Sequence, residues 1–474
     1  MGLKPRDGSG PRPAHGRRPR PGQQEKTGSI ALASGKTGLG ARFEAVRLIA
    51  AVLEHGHSLD EALVPPAGSR TAQLEPRDRA FARLIATTVL RHKGELDAVL
   101  KAYLAKPLPA RAGPLLPILL AASAQLLFLE TPPHAAISLA VDQVRTDRAS
   151  ARFDKLVNAV LRRVATEGAG RLAALEATAL NIPAWLLARW TASYGPERAR
   201  AIARASLMQA PLDITAKADA PGWAERLGAA LLPTGSLRLE DHHGRIEDLP
   251  GFTEGAWWVQ DAAAALPARL VDAKPGCRIA DSCAAPGGKT AQLAAAGAQV
   301  TAVDSAGRRL ERLTANLTRL GLAAETIAAD VRGWQSEPFD AVLLDAPCSA
   351  TGTIRRHPDI LHLKREADVA TLAALQADLI DASARLVRPG GRLVFCTCSL
   401  EPEEGESQWQ AFLARQPQFT GEPIRAGEIG GQGQWLTASG EVRTLPGEPP
   451  RDAAGAPLPG GIDGFFIGRA IRSG

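Results

Sequence analysis

A chain of 474 residues with 56 Lys and Arg against 50 Asp and Glu carries a formal net charge of +6, and 45% of its residues are hydrophobic. It is long enough for two or three cores and mildly basic, which excludes a small stapled scaffold and favours a polyanionic partner without establishing one. The five cysteines, Cys277, Cys283, Cys348, Cys396 and Cys398, form no Cys-x-x-Cys pair and are odd in number, so a reduced cytosolic setting is expected in place of a disulfide framework or a structural zinc site.

Residues 1–38 are rich in Gly, Pro and Arg and lack apolar periodicity, which predicts a disordered basic tail. Such a tail can touch nucleic acid electrostatically or serve only as a solvated leader. It holds no apolar stretch of the kind a signal peptide needs.

Residues 41–168 read as an all-helical domain. Phe43, Val46, Ile49, Ala50 and Leu53 share one helical face, with Gly56 as a stop, and Phe81, Leu84, Ile85, Thr88 and Val89 repeat the pattern before Gly94. Further helices are predicted over 95–104, 114–129, 133–145 and 152–165. The apolar run Leu115 to Leu129 is interrupted by Pro117 and Gln125 and is too short to cross a bilayer, so no membrane contact is expected. The last helix sets its apolar side against Lys155, Arg162 and Arg163.

Residues 170–250 predict a small α+β linking module, with an aromatic helix at Pro183–Trp190, a strand at Leu212–Ala216 and a helix near 221–231. Residues 255–474 alternate strands (Arg278–Asp281, Gln299–Asp304, Thr326–Asp330, Ala341–Asp345, Arg392–Cys396, Gly464–Ile467) with helices. That alternation predicts an α/β fold with a doubly wound, Rossmann-like, mostly parallel sheet.

The first of these strands runs into Cys283-Ala284-Ala285-Pro286-Gly287-Gly288-Lys289 and then a helix. Glycines there let backbone approach a ligand. Cys283 stands where a Walker A loop needs its first glycine, and Gly-x-Gly-x-x-Gly is absent too, so a nucleoside triphosphate or dinucleotide is disfavoured. Strand-terminal Asp281, Asp304, Asp330 and Asp345 surround the loop. Asp304 suits a ribose diol and Asp330 an adenine amino group, and the set points to S-adenosylmethionine. Two thiols stand at the carboxyl ends of neighbouring strands, Cys348 in Asp345–Gly352 and Cys398 in Phe395–Leu400. Cytosine C5 is a poor nucleophile. A thiolate that adds to C6 activates C5, and a base must then remove the C5 proton before the thiol leaves.

Together, Asp281–Thr290, Asp345–Gly352, Arg355–Asp359 and Thr397–Ser399 resemble the Sun/Nop RNA (cytosine-5)-methyltransferases, and most of all the RsmB (Fmu/Sun) type. Those are bacterial enzymes with a NusB-like helical N-terminal domain that act on small-subunit rRNA. The resemblance covers residues 41–470, and its NusB-like part rests on the helical pattern and on Leu156–Leu161. It implies that Cys398 is the nucleophile and that Cys348 assists product release. DNA cytosine methyltransferases use the Pro-Cys thiol as nucleophile instead. It further implies that residues 283–289 cradle the methionine part of the cofactor. Asp304 is then the ribose ligand, Asp330 the adenine contact, and Asp345 the acid near the methyl donor and target base. Arg309 matches a basic residue after the second strand, and Lys289 serves the cofactor carboxylate or the polar network of the site. A monomer without metal is expected.

Some positions depart from the pattern or read two ways. Ser282 replaces an apolar residue, and Leu212–Lys217 lacks the Arg-Val-Asn ending expected in the linking module. Cys396 lies two residues before Cys398, on the same strand face, and reads as a small buried residue rather than a reactive one. Arg355, Arg356 and His357 read equally as phosphate contacts beside the target base or as a charged surface loop. Trp257 and Trp258 read as packing more than as an RNA-stacking surface, and Trp185 and Trp190 as core. The rivals to a small-subunit rRNA substrate are tRNA, methyl transfer to protein or a small molecule, and a non-catalytic RNA-binding assembly factor. Loss of either Cys348 or Cys398 would favour the last, and both are present.

Overall fold

The computed structural model describes residues 38–64, 73–240, 242 and 244–474. The predicted basic tail lies outside these residues up to position 37. The helical part comprises α1 (Leu39–Leu53), α2 (Leu59–Ala62), α3 (Pro76–Arg91), α4 (Lys93–Tyr103), α5 (Leu115–Leu127), α6 (Pro133–Thr146) and α7 (Asp154–Ala173). Apolar faces of α1 and α3–α7 meet in one core that includes Leu48, Ile85, Leu96, Leu119, Val144 and Leu161. The α5 run is buried in that core, and no helix among the described residues is long and apolar enough to cross a membrane.

Gly94 does not end a helix as its spacing predicts. It lies in the first turn of α4, where a Cβ would stand 1.9 Å from the Leu180 carbonyl oxygen. That carbonyl belongs to α8 (Ala177–Asn181), whose Asn181 Oδ1 accepts from the Glu95 N–H at 3.1 Å and so caps α4 from another helix. Gly94→Ala should therefore destabilise despite alanine's better helix propensity, by about 1–3 kcal/mol, read as a lower urea midpoint.

Two further helices, α9 (Ala184–Tyr194) and α10 (Pro196–Ser206), lead into a small antiparallel sheet. Its strands are β1 (Leu212–Ala216), β2 (Ala230–Leu231), β3 (Leu237–Leu239) and β4 (Trp257–Val259), in the order β2-β3-β1-β4, with α11 (Ala220–Leu227) between β1 and β2. Trp257 and Trp258 lie on β4 and are buried, as packing residues should be. The Arg238 and Asp213 side chains, both fully buried, pair through two 2.7 Å hydrogen bonds inside this sheet.

The second sheet holds β5 (Arg278–Ser282), β6 (Gln299–Asp304), β7 (Glu325–Ala328), β8 (Phe339–Asp345), β9 (Val387–Thr397), β10 (Phe419–Gly421), β11 (Val442–Thr444) and β12 (Phe465–Arg472). Its order is β10-β12-β9-β8-β5-β6-β7, and β11 also pairs with β12. Strands β5 to β9 are parallel, and the last three are antiparallel additions at one edge. The intervening helices are α12 (Leu266–Leu270), α13 (Gly288–Ala295), α14 (Gly307–Leu320), α15 (Ile360–Leu363), α16 (Glu366–Arg385) and α17 (Glu406–Arg415). Side chains alternate between two cores, with Ile279, Leu343 and Val394 on one face and Ala280, Val342, Leu344 and Phe395 on the other. The strand order reverses between β5 and β8, so the crevice beyond their carboxyl ends is where this topology binds ligands. The predicted third strand is shorter than expected. It ends at Ala328, and Asp330 stands in the exposed segment after it.

Candidate active site

Beyond β5 the chain turns sharply. Cys283 has φ +60°, and Gly287, with φ +103°, leads into α13. A Cβ on Gly287 would press on Leu313 at 2.7 Å, so both the backbone conformation and the packing call for glycine there. The Asp304 carboxylate ties this loop to the end of β6. Its Oδ2 accepts from the Ala285 N–H at 3.2 Å, and its Oδ1 accepts from the Ala306 N–H and from Arg309 Nη2, both at 2.9 Å. A carboxylate has about four acceptor positions, so one remains on Oδ2 for a hydroxyl. Asp330 is exposed, and both its oxygens accept from the Arg332 guanidinium.

Lys289 points away from the solvent side of the loop. Its ammonium donates to Asp345 Oδ2 at 2.7 Å and lies over the Phe465 ring. Burial alone would lower its pKa, but the Asp345 carboxylate outweighs it and holds the ammonium above its ordinary range. Cys396 is fully buried, and its thiol donates to Asp345 Oδ1 at 3.4 Å. Burial, with Asp345 beside it, raises that thiol well above its ordinary value, which fits a packed, protonated group.

Asp281 is sealed beneath the loop, with Thr290 Oγ1 donating to its Oδ2 at 2.6 Å and no partner on Oδ1 among the described residues. Burial pushes this carboxyl from 3.8 up to about 7. An acid whose folded pKa is raised costs stability increasingly as pH climbs from the unfolded to the folded value. Asp281→Asn should therefore gain on the wild type between about pH 4 and about pH 7, by up to about 1.4 kcal/mol per unit, in denaturation midpoints taken across that range.

Cys348 and Cys398 meet at the end of the sheet. Cys398 follows the last residue of β9, Cys348 lies three residues past β8, and their sulfurs are 3.5 Å apart. The hydrogen bond with Cys398, then burial, raises the Cys348 thiol well above its ordinary value. The Cys398 carbonyl accepts from the Gly352 N–H at 2.9 Å, which fixes the two cysteine loops to one another.

Several contributors to this end of the sheet are illegible in the sequence motifs. Arg189 Nε donates to Glu401 at 2.5 Å, Trp190 Nε1 donates to the same carboxyl at 3.2 Å, and Tyr194 donates to the Leu400 carbonyl. Helix α9 of the linking segment thus holds the loop that carries Cys398, and Trp190 does more than fill core. The run Glu401-Pro-Glu-Glu404 directly after the cysteine motif was the available signal.

Arg355 and Arg356 do not form a charged surface loop. Arg356 Nε donates to Asp463 at 2.8 Å and its Nη2 donates to Asp261, while Arg355 is 3% exposed and donates to the Gly460 carbonyl at 2.6 Å. The same segment docks on the helical part. Asp359 Oδ2 accepts from the Leu59 N–H at 3.0 Å, the Arg355 carbonyl accepts from Arg91 at 3.0 Å, and the His362 ring bonds the Leu90 carbonyl at 2.7 Å. His357 is part-exposed, with Asp60 3.9 Å away.

The model of the 16S rRNA methyltransferase RsmB/F family matches residues 268–467, and that of the NusB family matches residues 40–166. The ribosomal RNA small subunit methyltransferase B of Vibrio cholerae is 38% identical over 398 residues, covering 80% of this chain and 90% of the relative. Its namesake in Xylella fastidiosa (strain Temecula1) is 39% identical over 451 residues, covering 92% and 98%.

The chain belongs to the RsmB/F family.

Like the family, it is an S-adenosylmethionine-dependent rRNA methyltransferase. Among solved structures, PH0851 superposes with a TM-score of 0.71 at 25% identity, covering 91% of this chain and 98% of its own. A methyltransferase homolog from Pyrococcus horikoshii gives 0.50 at 27% identity, covering 60% and 93%. The RsmB/F loop suits the cofactor on this structure's own evidence. Burial first, then the carboxylates of Asp304, Asp345 and Asp281, push the Cys283 thiol up to about 12. Burial disfavours charge of either sign, but the three carboxylates favour a cation such as a sulfonium.

Proposed function

We propose that this enzyme methylates C5 of a cytosine in small-subunit rRNA through a covalent Cys398 adduct, with Cys348 assisting product release. The 3.5 Å contact between the two sulfurs carries the reading. Residues 283–289 would hold the methionine part of the cofactor, Asp304 its ribose and Asp330 its adenine edge. Bound there, the cofactor supplies an electrophilic methyl group. The target cytosine leaves its stack to reach the pocket. The Cys398 sulfur adds to C6, and C5 becomes nucleophilic. After methylation the C6–S bond breaks as the C5 proton passes to Cys348 and the proton that Cys348 carried passes to the departing Cys398 sulfur, so both thiols end protonated.

The 3.5 Å contact supports this division of labour, because a proton can pass directly between the two sulfurs and an S–H on Cys348 is available to its neighbour. Asp345, fixed by Lys289 and Cys396, would orient the base from the adjoining strand. The free thiols of all five cysteines suit a reducing cytosol.

The test is methyl transfer from labelled S-adenosylmethionine to unmodified small-subunit rRNA. The label should appear as 5-methylcytidine and fall by about 10⁴-fold or more in Cys398→Ala. Label on tRNA alone would move the substrate, and label on protein would overturn the reading.

A further inference from the structure

Glu404 is fully buried six residues after Cys398, and its carboxyl gathers the backbone on both sides of the thiol pair. Its Oε1 accepts from the Ser349 N–H at 2.8 Å and from Gln376 Nε2 at 3.1 Å. Its Oε2 accepts from Ser399 Oγ at 2.6 Å and from Ser349 Oγ. The two serine hydroxyls lie 3.0 Å apart. Gln376 Nε2 also donates to the Pro347 carbonyl at 2.9 Å, so the residues on either side of Cys348 both connect to this one group. On the other loop, Ser399 follows Cys398 and Thr397 precedes it, and the Thr397 hydroxyl donates to the Glu404 carbonyl at 2.9 Å.

The residues flanking each cysteine are therefore tied to Glu404, Pro347 through Gln376 and the others directly, and its four carboxyl donors are all uncharged groups. A core carboxyl costs stability unless its hydrogen bonds are met, and here they are met by the two segments whose spacing the chemistry needs. A hydrocarbon side chain could fill the volume. Only an acceptor can hold donors from both loops at once, and Oε2 alone takes both Ser349 Oγ and Ser399 Oγ.

We propose that Glu404 is a positioning residue that sets the separation of Cys348 and Cys398. The inference deepens the covalent reading above and rests on it for its catalytic consequence, but the clamp itself can be measured apart from activity. Phenylarsine oxide condenses with two adjacent thiols, forming two As–S bonds and releasing water. Its affinity therefore reports how well the pair is preorganised.

The experiment compares full-length wild type with Glu404→Ala, Glu404→Gln and Ser349→Ala. Binding is read as protection of Cys348 and Cys398 from alkylation, and kcat and KM for S-adenosylmethionine are measured alongside. Glu404→Ala should weaken arsenical binding about tenfold and lower kcat by about 10²-fold, with KM for S-adenosylmethionine within about twofold. Glu404→Gln keeps one oxygen acceptor and should fall between it and wild type. A lower melting temperature with unchanged arsenical affinity in the folded variants would reduce Glu404 to a structural role and overturn the proposal. So would a loss that appears in KM for S-adenosylmethionine alone. If Glu404→Ala does not fold, Glu404→Gln and Ser349→Ala decide by the same criteria. Intact arsenical effects in an enzyme that forms no RNA adduct would sink the covalent reading and leave the clamp standing.

Discussion

Cys348→Ala should trap the enzyme on its RNA. On the proposed mechanism, addition of Cys398 to C6 does not need the second thiol, but the elimination that frees the product does, because Cys348 takes the C5 proton as the C–S bond breaks. The variant should accumulate a protein–RNA species that survives denaturing electrophoresis, with turnover lower by about 10²–10⁴-fold. Adding Cys398→Ala should abolish the species, and Cys398→Ala alone should form none. The 3.5 Å sulfur contact makes the outcome informative in both directions. Sulfurs this close can reach the same carbon, so an adduct that needs Cys348 and accumulates in Cys398→Ala would exchange their roles.

The parts of this site that the sequence makes legible are those in which chemistry and local chain direction coincide. A short apolar run followed by Asp-Ala-Pro-Cys or Thr-Cys-Ser states both a strand and what stands at its end. The fold class, the loop after β5 and the pairing of the two thiols were all within reach of such motifs. The edges were not. Asp330 is separated from the end of β7 because that strand lies at the sheet margin, where pairing with β6 stops at Ala328. Gly94 looked like a stop because a glycine after an apolar pattern usually is one, whereas here α8 presses a carbonyl against it. Glu404 was hidden for a related reason. Two of its donors come from Gln376 and Ser349, 28 and 55 residues away in the chain, and no local spacing encodes that convergence.

Arg355 and Arg356 are the sharpest case, and they carry the second large expectation. Two adjacent arginines beside a histidine read as a phosphate site or a solvated loop, yet the partners of Arg356 lie 95 and 107 residues away. Its guanidinium spans Asp261 before the large sheet and Asp463 before β12, and holds the segment that begins at Cys348 against both. Burial opposes the Asp261 carboxylate, but Arg356 and Arg355 outweigh it and hold its pKa below the ordinary value. Stability from this group is thus present at neutral pH and lost in acid. Arg356→Ala would leave two buried carboxyls without their shared donor and should cost about 3–5 kcal/mol in urea unfolding at neutral pH. The loss should shrink toward acid pH, where the stranded carboxyls bind protons. Arg356→Lys supplies a point charge where a fork spans two acids, so it should recover only part of the loss. Because the same segment continues into Asp359 and His362 against α2 and α3, the variant should also loosen the helical part from the sheet. Faster amide exchange at Leu59, whose N–H donates to Asp359, is the expected sign. An Arg356→Ala protein with an unchanged midpoint would mean that the two acids are already protonated and that the pair holds nothing.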